Sequence, residues 1–206
     1  GDLIPRYERR TLADPVHGVS VVGPDDVGYV LGVLGDEPVR VGKELSSEGP
    51  AWSRIAEALP QPRTIDSGAS VSLETSLAPR EERVVRYVLA WYSPEWQGEP
   101  DIRYTNMYAA RYRDAIEVAG RIAQDHDSLL ARVLAWQQAI YAETSLPGWL
   151  RDSLINNLCL ITEASYWAAP RLPLPDVFHP TGLFAMNESP RGCPQIECIP
   201  CSWYGN

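Results

Sequence analysis

The stretch "YVLAWYSPEWQGEPDIRYTNMYAARYRDAIEV", residues 87–118, is where the chain changes its hydrophobic period. Up to Trp91 the sequence reads as strand. Val84, Val85, Tyr87, Val88, Leu89 and Trp91 leave little polar face, which predicts a strand covered on both sides. From Tyr104 onward it reads as helix. Thr105 is a candidate N-cap, and Tyr108, Tyr112, Ala115, Ile116, Ala119 and Ile122 fall along one stripe. Between the two, "YSPEWQGEPDIR" (92–103) combines Pro, Gly and charge as linkers do, so a boundary is expected there, with residues 96–103 as the linker.

Upstream of this boundary the grammar is β. "GVSVVG" (18–23) and "VGYVLGVLG" (27–35) are joined by the turn signal "GPDD". "ASVSLETSLAP" alternates Val71, Leu73, Thr75 and Leu77 at period two, predicting one buried strand face. "GPAWSRIAEALP" (49–60) breaks the pattern with Trp52, Ile55, Ala56 and Leu59 at helical spacing. Antiparallel strands with turns predict a sandwich over 1–95. Downstream, a second helix is expected after Ser128, carrying Leu130, Val133, Leu134, Gln137 and Tyr141. A third is expected over "LPGWLRDSLINNLCLITEASYWAA", with Pro147 early and Leu150, Leu154, Leu158 and Ile161 on its apolar face. "PRLPLPDVFHPTG" (170–182) is a proline-punctuated loop.

The totals narrow the functional classes. At 206 residues, 45% hydrophobic and 22% charged, the chain suffices for one large or two small domains with a core that needs no staples. A formal net charge of −9 repels nucleic acid and anionic membranes, so neither is an expected partner. No apolar run is long enough to span a bilayer, and "GDLIPRYERR" does not read as a signal peptide. The missing initiator Met and the aromatic ending lead us to expect a segment of a longer protein.

Cys193, Cys198 and Cys201 form C-x4-C-x2-C, with Cys159 upstream. Strong zinc signatures pair two C-x2-C units, and Cys159 lies in the apolar "NNLCLIT". A buried helical cysteine plus three loop thiols, with one disulfide among them left open, is the preferred reading, with no metal and no cofactor. His17, His126 and His179 show no ligand spacing and read as structural, His126 as a cation between two Asp at a helix end. Glu188 in "FAMNES" and Glu197 in "PQIECIP" differ from the surface runs "PREER" and "RDAIE". Both lie beside apolar residues in expected loops, where a carboxylate is costly unless paired or used.

The order of these features resembles glycoside hydrolase family 116, the non-lysosomal glucosylceramidases and microbial β-glucosidases and β-xylosidases. The likeness is carried by W-Q-x-x-I at 136–140, L-P-x-W at 146–149 with its following S-L-x-N-x-L, and G-x-F-A-x-x-E at 182–188. The resemblance implies an N-terminal β-sandwich followed by an all-α (α/α)6 barrel. Residues 1–95 would then be the end of the sandwich and 104–206 the first barrel helices and nucleophile loop. It further implies a retaining mechanism on β-linked glycosides with two carboxylates. Glu188 matches the family's nucleophile, and the acid/base Asp is expected beyond Asn206, in the remainder of the polypeptide. Trp149, Trp203 and Tyr204 are candidates for stacking on sugar, and Glu197 for binding its hydroxyls.

The sequence departs from the family in several places. Met186-Asn187 replaces an aromatic-Leu pair. Asn156-Asn157-Leu158 stands for Asn-Glu-Leu. The segment after Glu188 holds three Cys and no Asp. A remodelled pocket follows, and the reaction class rather than the glucosylceramide substrate is carried over. Three alternatives stay open: a relative acting on another sugar or by inversion, a non-catalytic carbohydrate-binding or scaffold protein, and a zinc-stabilised module on the four cysteines.

Overall fold

The computed structural model describes residues 4–46, 49–97, 103–157, 165–169, 181–189 and 193–196. They divide into two units. One comprises residues 1–94 and 112–125, the other 95–111 and 126–206.

The first unit is built on Val-rich strands separated by turns. β1 (Glu8–Leu12), β2 (Val16–Val22), β3 (Gly28–Leu34) and β6 (Tyr87–Tyr92) form a four-stranded antiparallel sheet in the order β1-β2-β3-β6. The "GPDD" signal closes the β2–β3 hairpin as expected, with Val22 opposite Gly28 and Val16 opposite Leu34. Gly18 and Gly32 face each other in that register, and a Cβ on Gly18 would meet the Leu31 carbonyl and the Gly32 Cα. Val21, Val30 and Val33 are fully buried, each contributing about 1.5–3 kcal/mol of apolar burial. A separate ribbon, β4 (Val39–Gly42) with β5 (Ser70–Leu73), packs against β2 and β3. Arg9 ties β1 to the loop that precedes β5, donating from Nη2 to the carbonyls of Asp66 (2.6 Å) and Gly68 (2.5 Å).

Two strand expectations change here. β6 is an edge strand with one buried face, Val88, Ala90 and Tyr92. Tyr87, Leu89 and Trp91, on the opposite face, remain 55–65% exposed, because no layer among the described residues covers that face. Trp91 instead stacks on Tyr29 across the ladder, centroids 5.8 Å apart. In β5 the inward residues are Ser70 and Ser72 rather than Val71 and Leu73; the Ser70 hydroxyl donates to the Lys43 carbonyl at 2.7 Å. The strand ends at Leu73, and Leu77 is exposed. α1 (Pro50–Ser53) is one turn, from which Leu59 is reached as the buried residue.

The second unit pairs β7 (Glu95–Gln97) with β8 (Arg103–Thr105), and β9 (Ser165–Ala168) with β10 (Leu183–Ser189) and β11 (Cys193–Ile196) in the order β11-β10-β9. A bridge between Asn106 and Ala168, with the Ala169 amide donating to the Thr105 carbonyl, joins β8 to β9. Trp96 stacks on opposite-strand Tyr104 at 4.5 Å and meets Tyr166 at 4.8 Å, an aromatic cluster linking the two pieces.

Helix α2 (Ala115–Ala142) contributes its first turns to one unit and the rest to the other. It starts ten residues after the expected Thr105, which is a β8 residue. The working start signal is Asp114, whose Oδ1 accepts from the Glu117 amide at 2.8 Å, while Glu117 Oε2 accepts from the Arg113 amide at 2.8 Å. Aspartate followed three residues later by glutamate is the spacing of a capping box, here with the glutamate reaching the amide of Arg113, one residue before the cap. The Arg113 backbone amide first, and its guanidinium Nε at 3.1 Å second, hold the Glu117 carboxyl below its ordinary pKa. No break occurs at Ser128. Residues 126–130 contain no Pro or Gly, the backbone ladder runs through, and an Arg121–Asp125 pair at 2.6 Å spans one turn. His126 is therefore inside a helix rather than at its end, 3.4 Å from Asp127.

α3 (Gly148–Asn156) follows Pro147 as N-cap and closes with the Asn157 amide donating to the Ser153 carbonyl. It is tied to α2 by Arg151 Nη1 donating to the Tyr141 carbonyl (2.6 Å) and by the Tyr141 hydroxyl donating to Asp152 (3.0 Å). The expected third helix ends there, since Ser165–Ala168 is strand β9; Leu158 and Ile161 lie outside the described residues.

The expected β-sandwich plus (α/α)6 barrel is thus corrected. The protein is a mixed α and β fold with antiparallel sheets, and three helices among the described residues. The helical spacing expected of the third helix runs on through "SYWA", and "LFAMNES" is expected as a loop; the structure makes both of them strands. Cross-strand pairing prevails over the helical pattern in the first and over the loop expectation in the second.

Candidate functional site

The sequence places a glycine at 182 because the backbone there needs one. Gly182 has φ +88°, and a Cβ would run into the Ala168 carbonyl. This turn launches β10 antiparallel to β9, with Leu183 opposite Ala168, Phe184 opposite Trp167, Ala185 opposite Tyr166 and Met186 opposite Ser165. Trp167 is pinned by its indole N–H donating to the Thr181 carbonyl at 2.7 Å, and the Arg111 guanidinium lies 5.3 Å over its ring. Such an exposed cation–π contact contributes about 0.5–1 kcal/mol.

Around this ladder is a recess of about 250 Å³ lined by Asn106, Tyr108, Ser165, Tyr166, Trp167 and Phe184. Phe184 is 55% and Trp167 37% exposed, so the aromatic surface is open to solvent. Burial, and secondarily the nearby Tyr104, raise the Tyr166 pKa, so its phenol stays neutral across the physiological range. Aromatic faces beside amide and hydroxyl groups suit a small neutral ligand with one apolar and one polar face. The volume falls below the ~300 Å³ at which pockets for larger organic ligands begin.

β10 also carries Glu188, four residues beyond Phe184. The β10–β11 register pairs Asn187 with Ile196 and Ser189 with Cys193, with a shift between them at which Glu188 lies. Bulges of this kind are over-represented beside active sites. Trp149 is on α3, 71% exposed, and does not line the recess. Glu197, Trp203 and Tyr204 lie outside the described residues, as do Cys159, Cys198, Cys201 and His179. Cys193 opens β11.

Trp167, Phe184 and Arg111 were not singled out from the sequence. Phe184 enters the sequence reading only within the G-x-F-A-x-x-E segment, and Trp167 only within the expected third helix. The available signal was "SYWA" facing "GLFA", two short alternating segments each able to form a strand. No protein-family model matches the chain. No helix among the described residues is long and apolar enough to cross a membrane.

Proposed function

We propose that this chain carries the nucleophile segment and part of the sugar-binding surface of a retaining glycosidase acting on β-linked glycosides. The observation that carries the reading is the continuity of β10, which joins Phe184 in the aromatic recess to Glu188 at the register shift. The proposal does not use a helical barrel. It rests on the G-x-F-A-x-x-E segment, on the local reason for its glycine, and on a recess suited to a sugar ring.

In the reaction, the Glu188 carboxylate attacks the anomeric carbon as the glycosidic oxygen departs with a proton from a second carboxylic acid. Water, deprotonated by that same group, then releases the sugar with net retention. The second carboxylate is proposed to come from an Asp outside this sequence. Stacking of the sugar on Trp167 and Phe184 would supply ring orientation and exclude water from one face.

The test uses the full-length protein and an aryl β-glycoside. Glu188→Gln is expected to lower kcat by at least 10³-fold, and azide is expected to restore turnover to Glu188→Gly as the α-glycosyl azide. Turnover by Glu188→Gln at the parent rate would end the assignment. A non-catalytic carbohydrate-binding role is favoured by one observation: none of the six residues lining the recess is a carboxylate. That reading predicts sugar affinity, lost on Trp167→Ala, with no turnover in the intact protein.

A further inference from the structure

A second cluster, in the first unit, is independent of the recess. The antiparallel register that sets Val16 opposite Leu34 brings the residues flanking β2 and β3 to one end of the ladder. Asp14 precedes β2, His17 is its second residue, and Asp36 follows β3 after Gly35, whose φ of +112° turns the chain. One ligand atom from each of Asp14, His17 and Asp36 lies within 4.8 Å of the others.

The spacing is compatible with two uses of these groups. His17 Nε2 is 3.3 Å from Asp14 Oδ1. A strong charge-assisted hydrogen bond would bring them to about 2.7–2.9 Å. Two donor atoms bound to one tetrahedral metal at about 2.0–2.1 Å stand roughly 3.3 Å apart. The two carboxylates have few partners among the described residues. Asp14 is paired with His17 only, and Asp36 has no hydrogen bond or ion pair among the described residues. The neighbouring Arg83 is engaged by Glu37. The His17 side chain is 23% exposed, so the imidazole is held by its strand, whereas Asp14 at 82% is free to swing inward.

We infer that Asp14, His17 and Asp36 bind a divalent first-row metal ion through one imidazole nitrogen and two carboxylate oxygens. Three protein ligands leave coordination positions for water, so the ion exchanges readily and binds more weakly than in a closed four-ligand site. The sequence hides the set because Asp36 is nineteen residues from His17, and the hairpin alone brings them together.

The test is a titration of the full ¹⁵N-labelled chain with MnCl2, followed by NMR. Mn²⁺ prefers nitrogen and oxygen donors, so the cysteine thiols do not compete. At under a tenth of an equivalent, amide signals of residues 14–18 and 33–36 are expected to broaden first. Asp36→Asn should weaken this at least tenfold and His17→Gln should remove it, each with the remaining spectrum unchanged as evidence of folding. Equal broadening around the exposed pairs Asp25–Asp26 and Glu81–Glu82, or an unaltered response in Asp36→Asn, would overturn the assignment. Should His17→Gln fail to fold, the Asp36→Asn arm decides.

Discussion

Single residues hold the turns on which both units depend. Asp66 is nearly buried, accepting from the Arg63 amide at 2.8 Å and from its guanidinium at 3.2 Å, and the side-chain bond to Arg63 foremost holds its pKa below the ordinary carboxylate range. A depressed carboxylate contributes stability above its unfolded pKa and loses it as pH falls through the folded value. Glu117 has the same sign, with bonds from Arg113 as the cause. Thermal stability is therefore expected to be level above about pH 5 and to decline below about pH 4, near the unfolded carboxylate values. Asp66→Ala should flatten that acid limb in melting curves taken between pH 3 and 7. Gly182 makes a different demand. Gly182→Ala puts a side chain at a positive φ and against the Ala168 carbonyl, and should cost about 1–3 kcal/mol in denaturant unfolding.

At the scale of elements, α2 tests whether the start signal is Asp114 or Thr105. Asp114→Ala removes the acceptor for the Glu117 amide and is expected to cost about 1 kcal/mol with a loss of helical circular dichroism, while Thr105→Ala leaves the helix intact. Leu129, Leu130, Val133 and Leu134 on the same helix are each about half exposed. Leu130→Gln should change stability by no more than about 0.5 kcal/mol, which equilibrium unfolding can measure. A core leucine would cost several times that. The apolar stripe was visible in the sequence, but periodicity reports which residues share a face and is silent on what covers it.

Across the whole molecule, the β2–β3 hairpin, its "GPDD" turn and the strand character of residues 87–92 were legible, since turn chemistry and Val-rich runs act within a few residues. The inward serines of β5 were not legible: hydrophobicity favours Val71 and Leu73, yet the Ser70 hydroxyl finds the Lys43 carbonyl. β9 was read as helix because "EASYWAA" suits either state, and only pairing with Phe184 and bridging to Asn106 settle it as strand. Of the candidate site, Glu188 and its glycine were visible as a motif. Trp167, Arg111 and Tyr108 converge only through that pairing.

The sequence by itself determined local events: the turn between the first two long strands, the strand character of residues 87–92, and that residue 182 has no side chain. It also determined the acidic balance that repels polyanions. Tertiary structure alone decided that residues 165–168 and 183–189 lie side by side, that Asp14, His17 and Asp36 share one end of a hairpin, and that the helices among the described residues form no barrel. The reason is physical. Capping and turn bonds close within about four residues, whereas strand pairing joins segments whose separation no local propensity records.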